Sequence, residues 1–446
     1  MSAVTALTGA VAVVGAGDPQ ATDVLIDAHG AITSAPTRDI TGSVDVSGCV
    51  ITPGLVNAHH HLLQSAFRTL PGSRFRPMRE WLTVMAEAYR SYAVDPELGH
   101  AAASVGMAES LLFGVTTVAD HHLTWPAGVD PVSMAEATGA AARDVGGRLV
   151  FVRGTAGDDP AIAADSIRAI HSALIGDATR RDARCLRGVS ADGMVQLAVG
   201  PSGVHADGPE TFHALTDVAR DLGLRRRAQS NEQVDVHIAQ EKYGRRPLEL
   251  LQEWGWLESG VTLAHLCDVT DEEIAVLAAS GVTATHAPGC DIPMGWGIAP
   301  VAKLLEAGVT VGLGTSGGGS NDGGHLLSDA RLAMQISPIA GGSLAANTVI
   351  DMATRGSAIG LGRPELGSLT EGSAADLCVW DVSDAPDAGV HDPVLGLLWS
   401  NPGRRPRDVM VAGTWVVRDY ELLTADSREL AARLNDMLRT RQSALV

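Results

Sequence analysis

The sequence contains few aromatic residues and few cysteines. Phe, Trp and Tyr make up 4% of the 446 residues, and none of the five cysteines belongs to a CxxC pair. This cysteine usage indicates neither a disulfide framework nor a structural zinc knuckle, and it is typical of a reducing compartment. The cysteines lie at positions 49, 185, 267, 290 and 378.

The chain also lacks the signals of membrane insertion and export. It has no uncharged run of about 18 apolar residues, so no transmembrane helix is expected. The stretch 1–18 has no basic segment and contains glycines and an acid, which predicts a strand and a turn rather than a signal peptide. We therefore predict a cytoplasmic protein.

The chain has fewer basic than acidic residues. With 33 Lys and Arg against 52 Asp and Glu, the net charge is −19. Because such a chain repels nucleic acid and anionic membrane surfaces, we expect neither as a partner. Hydrophobic residues make up 45% of the sequence, which is enough for a large core.

A repeated Gly-Val-Thr motif indicates the architecture. It opens the segments 114–122, 260–268, 281–290 and 308–316, and each follows a stretch with helical periodicity. Four more buried-strand candidates lie at 50–58, 148–154, 195–203 and 223–231. Eight strands that alternate with helices predict an α/β fold, a closed (β/α)8 TIM barrel. A doubly wound open sheet is the alternative.

The two chain ends have a different pattern of short strands and turns. Neither end has enough strands for a stable sheet of its own. We predict that residues 1–52 and 362–446 together form one small β-sandwich domain, which includes a C-terminal helix. The barrel, residues 53–361, would be inserted between them.

Strand one of the predicted barrel ends in three histidines. His59 and His61 share one face because alternate side chains of a strand point the same way, and His60 points away. Active sites of such barrels lie at the C-terminal ends of the strands, so this HxH pair is a candidate two-ligand metal site. Packed or solvent-facing histidines are the alternative.

Other strand ends add candidates. Strand six carries His265, and Cys267 two residues later is either a ligand or, as we favour, a small core residue. Strand two ends at His122. The glycine-rich loop after strand eight lacks the lysine of a phosphate-binding loop, so we exclude a nucleotide site and assign Asn321 and Asp322 to turn hydrogen bonds.

Several of these motifs resemble the metal-dependent amidohydrolase superfamily, in particular its triazine hydrolase, chlorohydrolase and 8-oxoguanine deaminase branch. The similarity spans nearly the whole chain, and the motifs occur in the family's order. They read "ITPGLVNAHHHLLQ", "MREWL", "GVTTVAD", "AHLCDVT", "MGWGIAPV", "GLGTSGGGSNDGG" and "MATRGSAIGLGRPELGSLTEGSAADLCVWD".

The resemblance implies one divalent metal, zinc or iron. The family's ligands are the HxH pair and a His after each of strands five and six. An Asp after strand eight acts as base, and a Glu three residues beyond the strand-five His protonates the leaving group. In this sequence His59, His61 and His265 match ligands, and Glu232 matches the acid.

Three positions depart from the family pattern. Gln229 occupies the strand-five ligand position, Arg227 replaces a second His there, and Ser316 replaces the Asp. Gln offers a weak neutral oxygen, whereas zinc prefers imidazole and thiolate. Ser316 cannot serve as a carboxylate base, although its hydroxyl can orient a water. The triazine hydrolase branch has a Thr at that position.

The strand-five segment is unusual because it carries three consecutive arginines. By alternation Arg225, Arg227 and Gln229 share the face that points into the barrel. The Arg227 guanidinium would then repel a cation, and it would bind an anionic substrate group or pair with Glu232. The alternative is a strand start that faces the surface, with a shifted register.

Three functional hypotheses follow. The first is a hydrolase that deaminates or dehalogenates a nitrogen heterocycle with a metal on His59, His61, His265 and Gln229. The second is a metal-independent lyase, cyclase or isomerase of secondary metabolism that uses the same histidines and Glu232 for acid–base chemistry. The third is a non-catalytic binding protein.

Further expectations concern the substrate and the assembly. In the first hypothesis Glu232, Ser316 and His265 are the catalytic residues. We expect a small heterocyclic substrate to contact Gln64, Trp81, His122 and Arg227, with Trp81 stacked on a flat ring. A homodimer is expected from the resemblance.

Overall fold

The computed structural model describes residues 4–18, 20–34, 40–176 and 188–443. Its strands are β1 (Val4–Thr8), β2 (Ala12–Val13), β3 (Val24–Ile26), β4 (Ile40–Asp45), β5 (Cys49–Pro53), β6 (Leu55–His61), β7 (Val115–His122), β8 (Arg148–Thr155), β9 (Val195–Pro201), β10 (Arg225–Ser230), β11 (Val261–His265), β12 (Thr283–His286), β13 (Val311–Leu313), β14 (Ser316–Gly317), β15 (Leu377–Asp381), β16 (Asp408–Val411), β17 (Thr414–Arg418) and β18 (Glu421–Leu422).

Helices cover much of the remaining chain. They are α1 (Met78–Ser91), α2 (Pro96–Leu112), α3 (Pro131–Val145), α4 (Pro160–Leu174), α5 (Pro209–Leu222), α6 (Gln233–Tyr243), α7 (Pro247–Glu253), α8 (Asp271–Ser280), α9 (Pro288–Met294), α10 (Val301–Glu306), α11 (Leu326–Ile336), α12 (Ala346–Asp351), α13 (Ser357–Leu361), α14 (Pro393–Trp399) and α15 (Ser427–Ser443). Within the described ranges, none of the helices is long and apolar enough to span a bilayer.

The central sheet is parallel and curls back on itself. Its nine segments follow the order β13-β12-β11-β10-β9-β8-β7-β6-β14. The outer two segments, β13 and β14, belong to the same stretch of chain, 311–317. Since β13 pairs with β12 and β14 pairs with β6, the last strand lies beside the first. This is the curled sheet of a TIM-type barrel, and an open doubly wound sheet does not describe it.

The helix–strand junctions follow from local sequence. At α8, the Thr270 side chain accepts the backbone N–H of Glu273, and the Glu273 carboxylate accepts that of Thr270. This capping box starts the helix. Gly281 ends it in the left-handed region at φ 74°, which glycine adopts at no steric cost. The predicted Gly-Val-Thr junction is confirmed here.

The chain ends supply two further sheets. One has the order β3-β1-β4 and the other β18-β17-β16-β15-β5-β2. Strands from both ends meet where β5 pairs with β15, and Leu7, Ile26, Ile51 and Leu377 share one buried cluster. The β-sandwich arrangement of these two sheets stays a prediction.

The predicted strand 50–58 is in fact two strands in two different sheets. β5 ends at Pro53 in the six-stranded sheet, and β6 begins at Leu55 in the barrel. At Gly54 between them, a Cβ would lie 2.3 Å from Thr116 Oγ1, so only glycine fits. An apolar run gives no sign of this change of sheet, which is why the sequence predicted one strand.

The C-terminal helix contacts the barrel part of the chain. α15 packs on α2, the helix that precedes β7. Leu434 is buried in a cluster with Leu98 and Ala101 of α2. The Arg441 guanidinium binds both carboxylate oxygens of Asp95 at 2.8 Å. The assignment of this helix to the small domain stays a prediction.

A buried ion pair joins the barrel to the terminal sheets. Arg148 at the start of β8 binds both carboxylate oxygens of Asp376, at 2.7 and 2.9 Å. Both side chains are at least 95% buried, at 5% and 2% exposure. Asp376 Oδ1 also accepts the backbone N–H of Ala412 at 2.7 Å. One carboxylate thus connects β8 with the loop after β16.

Asp376→Asn is expected to destabilise the fold by about 3–5 kcal/mol, because it leaves the Arg148 charge buried without a counter-ion. The measurement is the shift of the urea denaturation curve followed by circular dichroism. Asp436→Asn is the control, since the Asp436–Arg439 pair is about 70% exposed (68% and 72%) and should not move the curve. Equal curves for the two variants would contradict a structural role for Asp376.

Candidate active site

Two histidines of β6 point into the barrel. The rings of His59 and His61 pack edge to face with centroids 4.9 Å apart. His60 lies on the opposite side, with Nδ1 2.9 Å from Thr315 Oγ1. The predicted alternation of the three histidines is therefore observed.

His265 reaches the same place from the end of β11. Its ring centroid is 5.1 Å from that of His59. Nδ1–H donates to Asp291 Oδ1 at 2.9 Å, and Nε2 lies 3.5 Å from Glu232 Oε1. His265 and Leu266 both have left-handed backbones, at φ 75° and 53°. Such strain in non-glycine residues is common where a side chain is held for function.

Glu232 is buried beside His265, immediately before α6. Burial raises the pKa of its carboxyl to about 7, although the charges of His265 and His205 oppose the rise. Asn231 before it has a left-handed backbone at φ 54°, and its N–H donates to Asp235 Oδ2 at 3.0 Å. Glu232 therefore has the pKa of a group that exchanges protons near neutrality.

Hydrogen bonds determine which ring nitrogens remain available. His61 Nδ1–H donates to the His121 carbonyl at 2.7 Å, and His265 Nδ1–H donates to Asp291. Their Nε2 atoms therefore remain available as metal ligands. Metal-binding histidines commonly have this arrangement, in which the other ring N–H donates to a protein acceptor. His59 Nε2 is buried and has no hydrogen-bond partner among the described residues. Burial keeps His59 and His61 neutral, with the pKa of His61 lowered to about 4.

The ring nitrogens of the three histidines are suitable ligands for a divalent metal, but they lie far apart from one another. Neutral imidazoles with fixed tautomers are the form that binds zinc. Across the described residues, however, the potential ligand atoms that all lie within 4.8 Å of one another are those of His265, Cys290 and Asp291. The three histidines do not meet that spacing, so a metal on them requires the rings to move closer.

A proton competes with a metal at His265. Burial lowers the pKa of this imidazole, but the charges of Asp291 and Glu232 outweigh burial and raise it to about 9. Without a metal the imidazolium is thus the favoured form, and it forms an ion pair with Glu232. The additional proton of the imidazolium lies on Nε2, because Nδ1 already carries the hydrogen that it donates to Asp291.

The thiols near His265 are protonated in the absence of a metal. Burial and the charge of Asp291 raise the pKa of Cys290 and of Cys267 well above 9, so both thiols are protonated. A zinc ligand is a thiolate. Asp291 supports the His265 ring through its hydrogen bond. Cys267 is only partly buried, so its interpretation as a small core residue stays a prediction.

Gln229 and Ser316 occupy the positions predicted from the resemblance. Both line the cavity above the histidines. Ser316 has a left-handed backbone at φ 53°, and its strand segment pairs with β6 opposite His60. Neither side chain carries a charge, so neither compensates a metal cation as a carboxylate would.

Arg227 lies inside the barrel below the histidines. Its Nη2 donates to the Ala58 carbonyl, and Nη1 has no partner among the residues that the structure describes. Burial and the nearby charge of Arg225 lower its pKa to about 9. Arg226 faces outward, donates to the Gly255 carbonyl and lies over Trp256.

These contacts decide between the alternatives for strand five. The inward face of Arg225, Arg227 and Gln229 is confirmed, and a surface-facing strand start is wrong. One further expectation needs correction. Arg227 does not pair with Glu232, whose neighbour is His265, and it is not among the residues that line the cavity. The contact of Arg227 with a substrate therefore stays a prediction.

The other three predicted substrate contacts do line the cavity. Trp81 donates its indole N–H to the Gly319 carbonyl at 3.1 Å, and Gln64 Oε1 accepts the Gly319 N–H at 3.0 Å. His122 Nε2 donates to the Thr124 carbonyl at 3.0 Å, and Nδ1 lies 3.8 Å from Asp120. Much of their hydrogen-bonding capacity is thus engaged within the protein, which leaves mainly ring surface for a ligand.

The loop after strand eight is fixed as predicted. Asn321 Nδ2 donates to the Thr315 carbonyl at 2.9 Å, within the loop. Asp322 accepts the Thr69 N–H at 2.7 Å and forms an ion pair with Arg74. The loop is therefore tied to the segment that follows β6.

Two histidines of the site were missed from the sequence. The His121 ring lies 5.7 Å from that of His59, and its Nε2 donates to the Gly200 carbonyl at 3.0 Å. His205, in the loop after β9, lines the cavity, and its Nδ1 lies 3.1 Å from Asp235 Oδ1. The alternation of strand two contains a signal for His121. Nothing in the loop sequence singles out His205.

The fold and the site define a class before any comparison is made. Polar and titratable side chains gather at the C-terminal ends of the strands of a TIM-type barrel, under one cavity, as in barrel enzymes. The amidohydrolase family model matches residues 50–416, and the chain belongs to this family.

Relatives refine this assignment. The 8-oxoguanine deaminase of Pseudomonas aeruginosa is 31% identical over 405 residues, 89% of each chain. An isoxanthopterin deaminase of an unknown prokaryotic organism is 33% identical over 440 residues, 93% of this chain and 89% of the relative. The atrazine chlorohydrolase of Arthrobacter aurescens, solved in complex with zinc, superposes with a TM-score of 0.87 at 32% identity over 97% of this chain and 100% of the other.

Proposed function

We propose that this protein is a hydrolase that removes an amino group or a halogen from a ring carbon of a nitrogen heterocycle. The observation that carries the proposal is Glu232, a buried acid with a pKa of about 7, at the floor of the cavity beside His265. The activities named for the relatives, deamination and dechlorination of heterocycles, support it.

In this reaction water adds to the ring carbon, and the bond from that carbon to nitrogen or halogen breaks. The Glu232 carboxyl gives its proton to the leaving amine, which departs as ammonia, and then takes up the proton that the water loses. A halogen departs as halide, and the proton from the water passes to solvent. The Ser316 hydroxyl orients the attacking water at the cavity floor. Asp291 holds the His265 ring in place, and the Trp81 indole packs against the heterocycle.

The residues that would hold a divalent metal are His59, His61 and His265, with the Gln229 amide oxygen as a fourth ligand. Such a metal supplies Lewis acidity at the cavity floor and lowers the pKa of water there. Support comes from the zinc in related structures and from the free Nε2 of His59.

A metal-independent lyase, cyclase or isomerase is the second candidate. The unpaired Arg227 charge below His59 and the wide spacing of the three histidines favour it. In that case the His265–Glu232 pair would carry out the acid–base chemistry. In the absence of metal, His265 Nε2 and Glu232 Oε1 lie 3.5 Å apart, and the imidazolium form of His265 is favoured.

The proposed function is tested by ammonia or halide release. The purified protein, with and without added zinc, is incubated with 8-oxoguanine, isoxanthopterin, 5-methylthioadenosine and atrazine. Release from one ring above the rate of a Glu232→Gln control supports hydrolysis. Ring consumption without release of either group would favour the second candidate, and ligand binding without any turnover would favour a binding protein. The homodimer and the cytoplasmic location stay predictions.

A further inference from the structure

The cavity is larger than a heterocycle alone requires. Its volume is about 940 Å³, near the upper end of the roughly 300–1,000 Å³ range of ligand pockets. Its floor is polar and contains His61, His121, Gln229, Glu232 and Ser316. The space above this floor, here called the upper cavity, has a different lining.

Three tryptophans line the upper cavity, and the N–H of each is already bound. Trp81 donates to the Gly319 carbonyl at 3.1 Å, Trp125 to the Gly154 carbonyl at 2.8 Å, and Trp296 to the Arg76 carbonyl at 3.2 Å. An indole whose N–H is satisfied by backbone offers a ligand only its carbon surface. The tryptophans therefore provide a fixed apolar wall.

Trp125 is held especially firmly. The Arg153 guanidinium carbon lies 4.5 Å from its ring centroid, and Arg153 itself is fixed by Asp158 and Ser166 at 2.9 Å. The His122 ring packs against it with centroids 4.7 Å apart. One side of the indole is thus supported by protein, while Trp125 still lines the cavity.

The charged residues of the upper cavity are paired with protein groups. Asp95 binds Arg441, Asp158 binds Arg153, and Arg90 binds Glu87 at 2.6 Å. The remaining wall includes Met78, Met85, Tyr89, Val129 and Val234. A ribose packed against this wall would lose the hydration of its hydroxyls. The Ser202 hydroxyl, which also lines the cavity and has no hydrogen-bond partner among the described residues, could replace only part of that hydration.

We propose that the substrate is a nitrogen heterocycle that carries a flat apolar substituent, with the heterocycle on the polar floor beside Trp81 and the substituent against Trp125 and Trp296. This inference rests on the proposed function, because it assumes that the ring undergoing hydrolysis occupies the floor. It distinguishes the substrate from a nucleoside, whose substituent is a polar sugar.

The test compares ligands that differ only in the substituent. Guanine, 9-benzylguanine and guanosine, and the corresponding adenine series, are titrated into the zinc-supplemented protein by isothermal calorimetry. The benzyl compound of at least one series is expected to bind at least about tenfold more tightly than its base and its nucleoside, because it buries an apolar ring. This comparison needs no variant.

Two variants locate the binding. Trp125→Ala should abolish the advantage of the benzyl compound and leave the affinity for the base unchanged. Trp399→Ala, at a tryptophan that is 48% exposed on α14, should change neither affinity. Trp125→Phe keeps a flat apolar ring and should retain most of the advantage, which separates the effect from misfolding.

The possible failures are distinct. If the nucleoside, or the base alone, binds as tightly as the benzyl compound, the apolar substituent is wrong while the heterocycle hydrolase stands. If the benzyl advantage survives in Trp125→Ala, the location is wrong. If none of the six compounds binds, both this inference and the proposed function lose their support.

Discussion

Gln229→His is expected to raise the zinc affinity of the protein more than tenfold, about 1.4 kcal/mol or more of binding free energy. An imidazole is a much better zinc ligand than an amide oxygen. Gln229 lines the cavity, and its register partner on β11 is Ala264, the residue before His265. The Nε2 atoms of His59 and His265 have no hydrogen-bond partner among the described residues. A fourth imidazole would add the binding energy needed to draw the loosely spaced histidines together.

The measurement is zinc per chain by inductively coupled plasma mass spectrometry, followed by a competition titration with a chelator of known affinity. Gln335→His is the control, because it adds a histidine at an exposed position of α11, away from the cavity. It should leave the zinc content at the parent value.

Each outcome separates the two candidate functions. About one zinc in the parent chain, bound more tightly in Gln229→His, would show that the histidines are metal ligands and would favour hydrolysis. Neither zinc nor iron in the parent, with about one zinc in the variant, would end the metal-dependent hypothesis for the natural chain and favour metal-free acid–base chemistry. No zinc in either would show that these histidines are not ligands.

Glu232→Gln is expected to reduce turnover by at least about a hundredfold, within the range of roughly 10²–10⁴ typical of a lost general acid. The amide has nearly the shape of the carboxyl, so the fold and the cavity should remain. It cannot deliver a proton near neutral pH. The affinity for the substrate is expected to change little, because the lost interaction belongs to the transition state.

The measurement is kcat and KM with whichever heterocycle is turned over, with Glu136→Gln as the control at an exposed position of α3. Zinc content is measured on the same preparation, since an unchanged value excludes damage to the histidines. Full activity in Glu232→Gln would remove it as proton donor. His205, held by Asp235 at 3.1 Å in the same cavity, would then be the next candidate.

The sequence predicted the parts of the site that depend on periodicity. All eight barrel strands were located, and the inward orientation of His59, His61 and Arg227 followed from alternation alone. The resemblance placed His265 and Glu232, which the structure brings within 3.5 Å of each other. Their roles in catalysis and metal binding stay predictions.

What the sequence did not predict depends on contacts between distant segments. His205 belongs to a loop, and only the fold brings it to Asp235, 30 positions later; at Gly203 a Cβ would lie 2.7 Å from its Nδ1, so a glycine is needed there. The Ala58 carbonyl that binds Arg227 lies on another strand. No local pattern contains such information, and periodicity gives the face of a residue but not its partner.

The junction between β14 and β6 has a consequence for how ligands affect stability. Ser316 and His61, which border the cavity, belong to the last and the first strand of the barrel, whose pairing completes the sheet. A molecule that contacts both side chains holds these two strands together. Ligand occupancy and resistance to global unfolding are then thermodynamically linked, so denaturation would report binding even for compounds that are never turned over.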